Sequence, residues 1–148
     1  MHRKWLLMAG VSDLFILSLL DRVAFRYYFY WRFPLFDILM HLIGGVAIGL
    51  VSSYSYWAWQ KEEKLGNPIT NSQSLINWRS FFVFNLVSIL FVAIGWEVFE
   101  LLADRVVRFS WLDSFKDLLF GVIGSLLVGL LVGIIVLWIH NYKQKRLK

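Results

Sequence analysis

Long apolar runs separated by short polar segments make up most of this chain. Four runs reach the ~20 residues that a membrane-spanning helix needs, at about 5–24, 35–57, 81–102 and 114–139. The pattern therefore predicts an all-α fold. Residues 1–148 are expected to form a single polytopic membrane domain, a bundle of four transmembrane helices.

The segments between these runs support the same organisation. Residues 25–34 are dense in Tyr, Trp and Phe, which is typical of the headgroup level of a membrane, and residues 60–79 form a polar loop. The first run resembles a secretory signal, but Asp13 interrupts it and no small-residue cleavage site follows. We therefore expect the first run to be an uncleaved span.

Composition agrees with a membrane location, because 59% of the residues are hydrophobic and 18% are aromatic. The formal net charge is +5, yet the basic residues flank the apolar runs, so no nucleic-acid partner is expected. The absence of cysteine excludes disulfides and thiolate metal sites.

The distribution of Lys and Arg predicts the orientation. The side that holds both termini and the 60–79 loop carries nine of these residues and the opposite side carries six. Because basic residues accumulate on the cytoplasmic side, both termini are expected in the cytoplasm of a bacterial-type inner membrane. The nine are Arg3, Lys4, Lys61, Lys64, Arg79, Lys143, Lys145, Arg146 and Lys148, and the six are Arg22, Arg26, Arg32, Arg105, Arg108 and Lys116.

Ionisable residues gather at the outer ends of three predicted spans. Such groups are costly in a bilayer unless they are paired or solvated, so they indicate a functional site. At 1.5 Å rise per residue, all lie within roughly 10 Å of the outer interface. They are Asp37 and His41, then Glu97, Glu100 and Asp104, then Asp113 and Asp117.

Their spacing of three or four residues places each pair on one helix face. Small residues follow at four-residue intervals, and such residues let helices approach closely in lipid. The polar faces are therefore expected to point into the bundle and towards each other. The small residues are Gly45 and Gly49 in the second span and Gly121, Ser125, Gly129 and Gly133 in the fourth.

Carboxylates with one imidazole suit Mg, Mn or Ca, and the histidine also admits Zn. A structural role remains open for each residue: His41 as a bundle histidine, Glu97 and Glu100 in salt bridges with arginine, and Asp113 as a helix N-cap. Asp117 lies a full turn inside and has no capping role. The candidate metal ligands are Asp37, His41, Glu97, Glu100, Asp113 and Asp117, and the candidate catalytic residues are His41, Glu97 and Asp117.

Six basic residues lie on the same predicted outer side as these acidic residues, although most of the Lys and Arg residues lie on the opposite side. Guanidinium groups are suited to phosphate oxygens, so a metal and an arginine ring together could hold a phosphorylated lipid or lipid-linked headgroup. The simpler alternative is that each arginine forms a salt bridge with a nearby carboxylate. The candidate substrate-binding residues are Arg22, Arg26, Arg105 and Arg108.

Three short motifs carry a resemblance to a known group. Phe36-Asp37-x-x-x-His41-x-x-Gly44-Gly45 resembles the Asp/His helix of VanZ-like and YjdF-like membrane proteins. The segments that begin at Gly95-Trp96-Glu97 and at Asp113 are similar to that group's later acidic segments. The chain lacks the Asp-Glu-x-x-Gln form of the middle VanZ motif. The resemblance implies a small polytopic protein with an embedded acidic/His site, without a defined reaction.

Three functions remain open from the sequence. One is metal-dependent binding or hydrolysis of a lipid headgroup, and another is a non-catalytic lipid-binding or accessory protein. The third is a proton-coupled transport unit, which four short spans could form only as an oligomer, with Asp13 as a relay residue. Asp13 lies near the middle of the first run, where Asn85 is a candidate hydrogen-bond partner.

Reporter fusions test the predicted topology. Fusions at Thr70 and at Lys148 should both report the cytoplasm, because most of the basic residues lie on that side. A periplasmic signal from either fusion contradicts the predicted orientation.

Overall fold

The computed structural model describes residues 4–66, 77–102 and 111–146. Every element in these ranges is helical, so the all-α prediction is confirmed for the described chain. The elements are α1 (Lys4–Arg26), α2 (Phe29–Arg32), α3 (Pro34–Gly66), α4 (Trp78–Leu102) and α5 (Trp111–Arg146).

Three of the helices contain stretches that are long and apolar enough to cross a membrane: Leu35–Gln60, Trp78–Phe99 and Trp111–Ile135. The chain is therefore a multi-pass membrane protein. Helix α1 is 23 residues long but is not among the three. Its acidic residues Asp13 and Asp21 lower its apolar character relative to the other long helices.

The aromatic segment after α1 contains a reversal of the chain. Tyr28 has φ 60°, in the left-handed region, and this residue separates α1 from the single turn α2. Phe36 of α3 then packs edge-to-face against Phe29 and Tyr30, with ring centroids 5.7 and 5.3 Å apart. Pro34 is the first residue of α3, where its missing N–H costs no helical hydrogen bond.

Helices α3 and α5 run in the same direction and touch through their backbones. The Cα of Gly45 faces Gly121, and that of Gly49 faces Ser125, so residues four apart on one helix meet residues four apart on the other. A side chain at Gly45 would collide with the Gly121 carbonyl oxygen, and one at Gly124 would collide with the carbonyl of Leu42. Small residues thus permit this close approach, as the sequence predicted.

Two glycines farther along α5, Gly129 and Gly133, pack against a different helix. A Cβ at Gly129 would lie 3.3 Å from the Phe82 ring, and one at Gly133 would lie 2.6 Å from the Trp78 ring. Both rings belong to α4. The small residues of α5 therefore contact α3 nearer the start of the helix, at Gly121 and Ser125, and α4 farther along it, at Gly129 and Gly133.

Helices α1 and α4 lie antiparallel to α3. Gly10 of α1 packs against Ala47 and Val51, and Leu17 lies nearest to Gly44. At the end of the bundle that holds the start of α4, the side chains form a dense core in which Trp57 stacks on Phe81 at 5.7 Å. Its buried members are Leu6, Tyr56, Trp57, Phe81, Val128 and Val132.

A buried polar network joins α3 to α4. Ser52 Oγ donates a hydrogen bond of 2.6 Å to Asn85 Oδ1, and Ser53 Oγ donates one of 3.3 Å to the same atom. Asn85 Nδ2 donates to the Phe81 carbonyl at 2.9 Å. Asn85 therefore forms its hydrogen bonds with α3 and with its own helix, and not with Asp13 of α1 as the sequence suggested.

Substitution of two glycines separates the effect of close packing from that of helix propensity. Gly45→Ala should destabilise the bundle by about 1–3 kcal/mol, because the added methyl group overpacks the α3–α5 interface. Thermal unfolding in detergent measures the effect. Gly95→Ala is the matched control, since a Cβ there meets nothing within 4 Å, and it should be neutral or slightly stabilising. Equal destabilisation by both variants would contradict the close contact between Gly45 of α3 and Gly121 of α5.

A candidate cation site

Asp37 and His41 lie one turn apart near the beginning of α3. Their spacing of four residues places both side chains on one helix face, as the sequence predicted. His41 Nε2 lies 3.5 Å from Asp37 Oδ1, and the Asp37 side chain is 42% exposed. One helix thus supplies an imidazole and a carboxylate to the same point in space.

Asp117 of α5 completes the group from across the interface. Its Oδ2 lies 3.7 Å from His41 Nε2, and its side chain is only 11% exposed. The parallel packing of α3 and α5 explains this meeting, because Asp117 precedes Gly121 by one turn just as His41 precedes Gly45. Asp37, His41 and Asp117 are therefore brought together as the sequence predicted.

The separations within this group resemble those between ligands of one metal ion. One ligand atom from each of the three side chains lies within 4.8 Å of the other two. Two tetrahedral ligands at ~2.0–2.1 Å from zinc lie roughly 3.3 Å apart. The His41 contacts, at 3.5 and 3.7 Å, are close to that value and longer than an ordinary hydrogen bond of ~2.7–3.2 Å.

The three side chains line one part of a cavity of about 240 Å³. Most of the remaining wall is apolar and comes from α1, α3 and α4. No lysine or arginine of the described chain lines it. The lining residues are Leu14, Leu17, Ser18, Asp21, Tyr30, Asp37, Met40, His41, Gly44, Gly45, Ile48, Ile89, Val92, Ala93, Trp96, Asp117 and Gly121.

A third carboxylate in the cavity wall was not among the predicted site residues. Asp21, at the end of α1, accepts a hydrogen bond of 2.9 Å from the Tyr30 hydroxyl. The chain reversal at Tyr28 brings Tyr30 back to α1 and so makes this contact possible. In the sequence, the only indication of this contact is that Asp21 ends an apolar run and that tyrosines follow it. The same pattern is typical of an ordinary membrane flank, so it does not identify a site.

Glu97 and Asp113 are near the same end of the bundle but have other partners. Glu97 Oε2 accepts a hydrogen bond of 2.7 Å from Ser114 Oγ, which ties the end of α4 to the start of α5. Asp113 forms an exposed ion pair with Lys116 at 3.0 Å. Because α5 begins at Trp111, Asp113 lies within the first turn, and the N-cap interpretation is wrong.

The other predicted site residues lie away from the cavity or outside the residues that the structure describes. Arg22 and Arg26 are exposed, as is Arg32, and none of the three lines the cavity. Asp104, Arg105 and Arg108 lie outside the described residues, and so does the side chain of Glu100. Their predicted roles in metal or headgroup binding stay predictions.

A family model described as "Predicted membrane protein (DUF2238)" matches residues 2–138 of the chain. The chain belongs to this family of predicted membrane proteins. No curated protein and no solved structure matches it.

Proposed function

We propose that this protein binds a divalent cation through Asp37, His41 and Asp117, and with it the polar end of a membrane amphiphile. The observation that carries the proposal is the convergence of these three side chains, from two helices, on the wall of a largely apolar cavity. Ionisable groups within a membrane protein are rare and frequently functional, which favours a binding role for this arrangement.

The donor set favours some metals over others. Two carboxylates and one imidazole suit Mn²⁺ or Zn²⁺, while Mg²⁺ would bind mainly through the carboxylates and retain several waters. Asp37, His41 and Asp117 would supply three protein ligands, the number that catalytic metal sites combine with a bound water or substrate. When bound, such a cation supplies a Lewis acid beside the amphiphile's polar end. Of the residues predicted to be catalytic, His41 and Asp117 would lie beside this metal, whereas Glu97 bonds to Ser114.

The cavity supports the amphiphile part of the proposal. A wall with a few convergent polar groups and many apolar side chains is typical of a small-molecule site. Here the polar groups lie at one end and residues such as Leu17, Ile48 and Ile89 form the remainder. The phosphate headgroup predicted from the sequence would depend on the metal and on basic residues outside the cavity wall, because no lysine or arginine of the described chain lines the cavity.

We also infer that α1 is a fourth membrane span. Its residues pack along α3 from Gly10, beside Ala47 and Val51, to Leu17, beside Gly44, and Leu6 joins the core with Tyr56. The 23 residues of α1 extend roughly 35 Å at 1.5 Å per residue, which is enough to cross the hydrocarbon core beside α3. The charge bias then supports both termini in the cytoplasm of an inner membrane.

The relationship to VanZ-like and YjdF-like proteins is likewise a proposal. It is supported by the motifs at Asp37 and His41 and at Asp117, whose side chains come together as an embedded acidic/His site. The segment at Glu97 lies at the same end of the bundle.

Metal binding is tested by replacing one carboxylate at a time. Asp117→Asn should weaken Mn²⁺ binding by at least about tenfold, because the amide keeps the shape but loses the charge of a ligand. Electron paramagnetic resonance titration of the chelator-treated protein measures this. Asp113→Asn is the matched control on the same helix, and it should bind Mn²⁺ like the wild type because Asp113 pairs with Lys116.

Two results would contradict the metal proposal. One is the absence of stoichiometric Mn²⁺ or Zn²⁺ binding by the wild-type protein. The other is equal loss in both variants, which would indicate a nonspecific effect of surface charge. Exhaustive chelation should also lower the melting temperature of the wild type, since a ligand that binds only the folded state stabilises it.

The fourth span is tested by the location of the N-terminus. Four spans place residues 4 and 148 on the same side, whereas three spans place them on opposite sides. The chain contains no cysteine, so a single cysteine introduced at Lys4 or Lys148 can be labelled without background. We expect a membrane-impermeant thiol reagent to give the same sidedness for both. Opposite sidedness would show that α1 does not cross.

A further inference from the structure

One face of α5 points at α4 in the interior of the bundle. A Cβ at Gly121 would lie 3.8 Å from the Ile89 side chain of α4. Ser125 lies one turn farther along α5, and Asn85 lies one turn before Ile89 on α4, which runs in the opposite direction. Because residues four apart share a helix face, Ser125 faces Asn85.

Ser125 is a buried polar residue at the level of the network that joins α3 to α4. Its side chain is 1% exposed, and Asn85 and Ser53 are completely buried. Ser52 and Ser53 donate hydrogen bonds to Asn85 Oδ1. In the described chain, however, Ser125 Oγ has no hydrogen-bond partner. A buried hydroxyl without a partner is costly, and in native proteins an ordered water commonly supplies the missing bond.

The side-chain amide of Asn85 also retains a hydrogen-bond donor. Such an amide carries two N–H donors. In the described chain, Asn85 Nδ2 donates one hydrogen bond, to the Phe81 carbonyl at 2.9 Å. One N–H of Asn85 and the hydroxyl of Ser125 can therefore bond to the same small molecule. Both groups are uncharged, so a neutral ligand that donates and accepts is favoured over an ion.

The cavity provides space beside these groups. Its deep end, away from Asp37, is lined by Ile48, Ile89 and Gly121. A Cβ at Gly121 would meet nothing nearer than 3.8 Å, so a methyl-sized space remains beside this glycine. Side chains of an α-helix tilt towards its N-terminus, and the side chain of Ser125 is therefore directed towards Gly121, one turn before it. The hydroxyl without a partner thus points at the deep end of the cavity.

We propose that a water molecule binds at the deep end of the cavity, between Ser125, Asn85 and Gly121. It accepts a hydrogen bond from Asn85 Nδ2 and forms a second one with Ser125 Oγ, which meets the need of a buried water for at least two polar partners. Asp117 precedes Ser125 by eight residues, so hydration extends roughly 12 Å along α5 from the acidic site into the membrane. The water site involves none of the proposed metal ligands and does not depend on the metal.

Replacement of Ser125 has effects of opposite sign for a hydrated and a dry site. With water bound, Ser125→Ala removes one partner of the water and should lower the melting temperature in detergent by a few degrees. In a dry site, the same change removes a buried hydroxyl without a partner and raises the melting temperature. Ser88→Ala is the matched control, because the Ser88 hydroxyl donates to the Phe84 carbonyl of its own helix. It should change the melting temperature less than Ser125→Ala.

Nuclear magnetic resonance of the isotope-labelled protein detects the water directly. The side-chain amide protons of Asn85 should show a cross-peak to water with opposite signs in laboratory-frame and rotating-frame experiments, which is the signature of a long-lived contact and not of proton exchange. Gly121→Ala places a methyl group in the space beside the glycine without a close contact. It should therefore displace the water and abolish the cross-peak, whereas Ser88→Ala should retain it.

The two measurements together decide the inference. A cross-peak that disappears in Gly121→Ala, with a lower melting temperature for Ser125→Ala, supports the water site. The absence of a cross-peak in the wild type overturns it, and so does a cross-peak that persists in Gly121→Ala, which would indicate transfer through the hydroxyls of Ser52 and Ser53. A melting temperature that Ser125→Ala leaves unchanged or raises also overturns it, because the hydroxyl is then bonded to its own helix or has no partner.

Discussion

Direct backbone contact between α3 and α5 is the constraint on which the rest of the structure depends. In a membrane, lipid is as apolar as the side chains, so helices associate by close van der Waals contact and by hydrogen bonds. Gly45 and Gly124 provide this contact, since any side chain at either position would collide with the carbonyl of the opposite helix. The same contact fixes the register that brings His41 to Asp117 one turn above.

The bundle is closed at one end and open at the other. Around Tyr56, Trp57 and Phe81, aromatic rings from α3 and α4 fill the space between the helices. Towards the start of α3, residues of all five helices line a cavity that takes the place of the core. The packed end can hold the helices in position, and the site at the other end can remain accessible to a ligand.

Two groups of polar side chains lie between the helices, and their geometry differs. Asn85 receives a hydrogen bond of 2.6 Å from Ser52 of α3 and donates one to the Phe81 carbonyl of its own helix, so these two groups bond to it directly. His41 Nε2 lies 3.5 Å from Asp37 Oδ1 and 3.7 Å from Asp117 Oδ2, and both distances are longer than the bond between Ser52 and Asn85. The Asn85 network is therefore suited to joining α3 and α4. The His41 group has the spacing of ligands around a cation.

The sequence by itself determined the helical class, three of the four predicted apolar spans and the shared face of Asp37 and His41, because these depend on run length and on helical periodicity. It also predicted that small residues follow His41 and Asp117 at four-residue intervals. Only the tertiary structure decided which carboxylates meet: Asp117 faces His41, while Glu97 bonds to Ser114 and Asp113 to Lys116. Depth in a membrane follows from sequence position, but the rotation of each helix about its axis is set by packing. For the same reason the place of Asp21 beside Tyr30 became visible only when the chain reversal at Tyr28 was known.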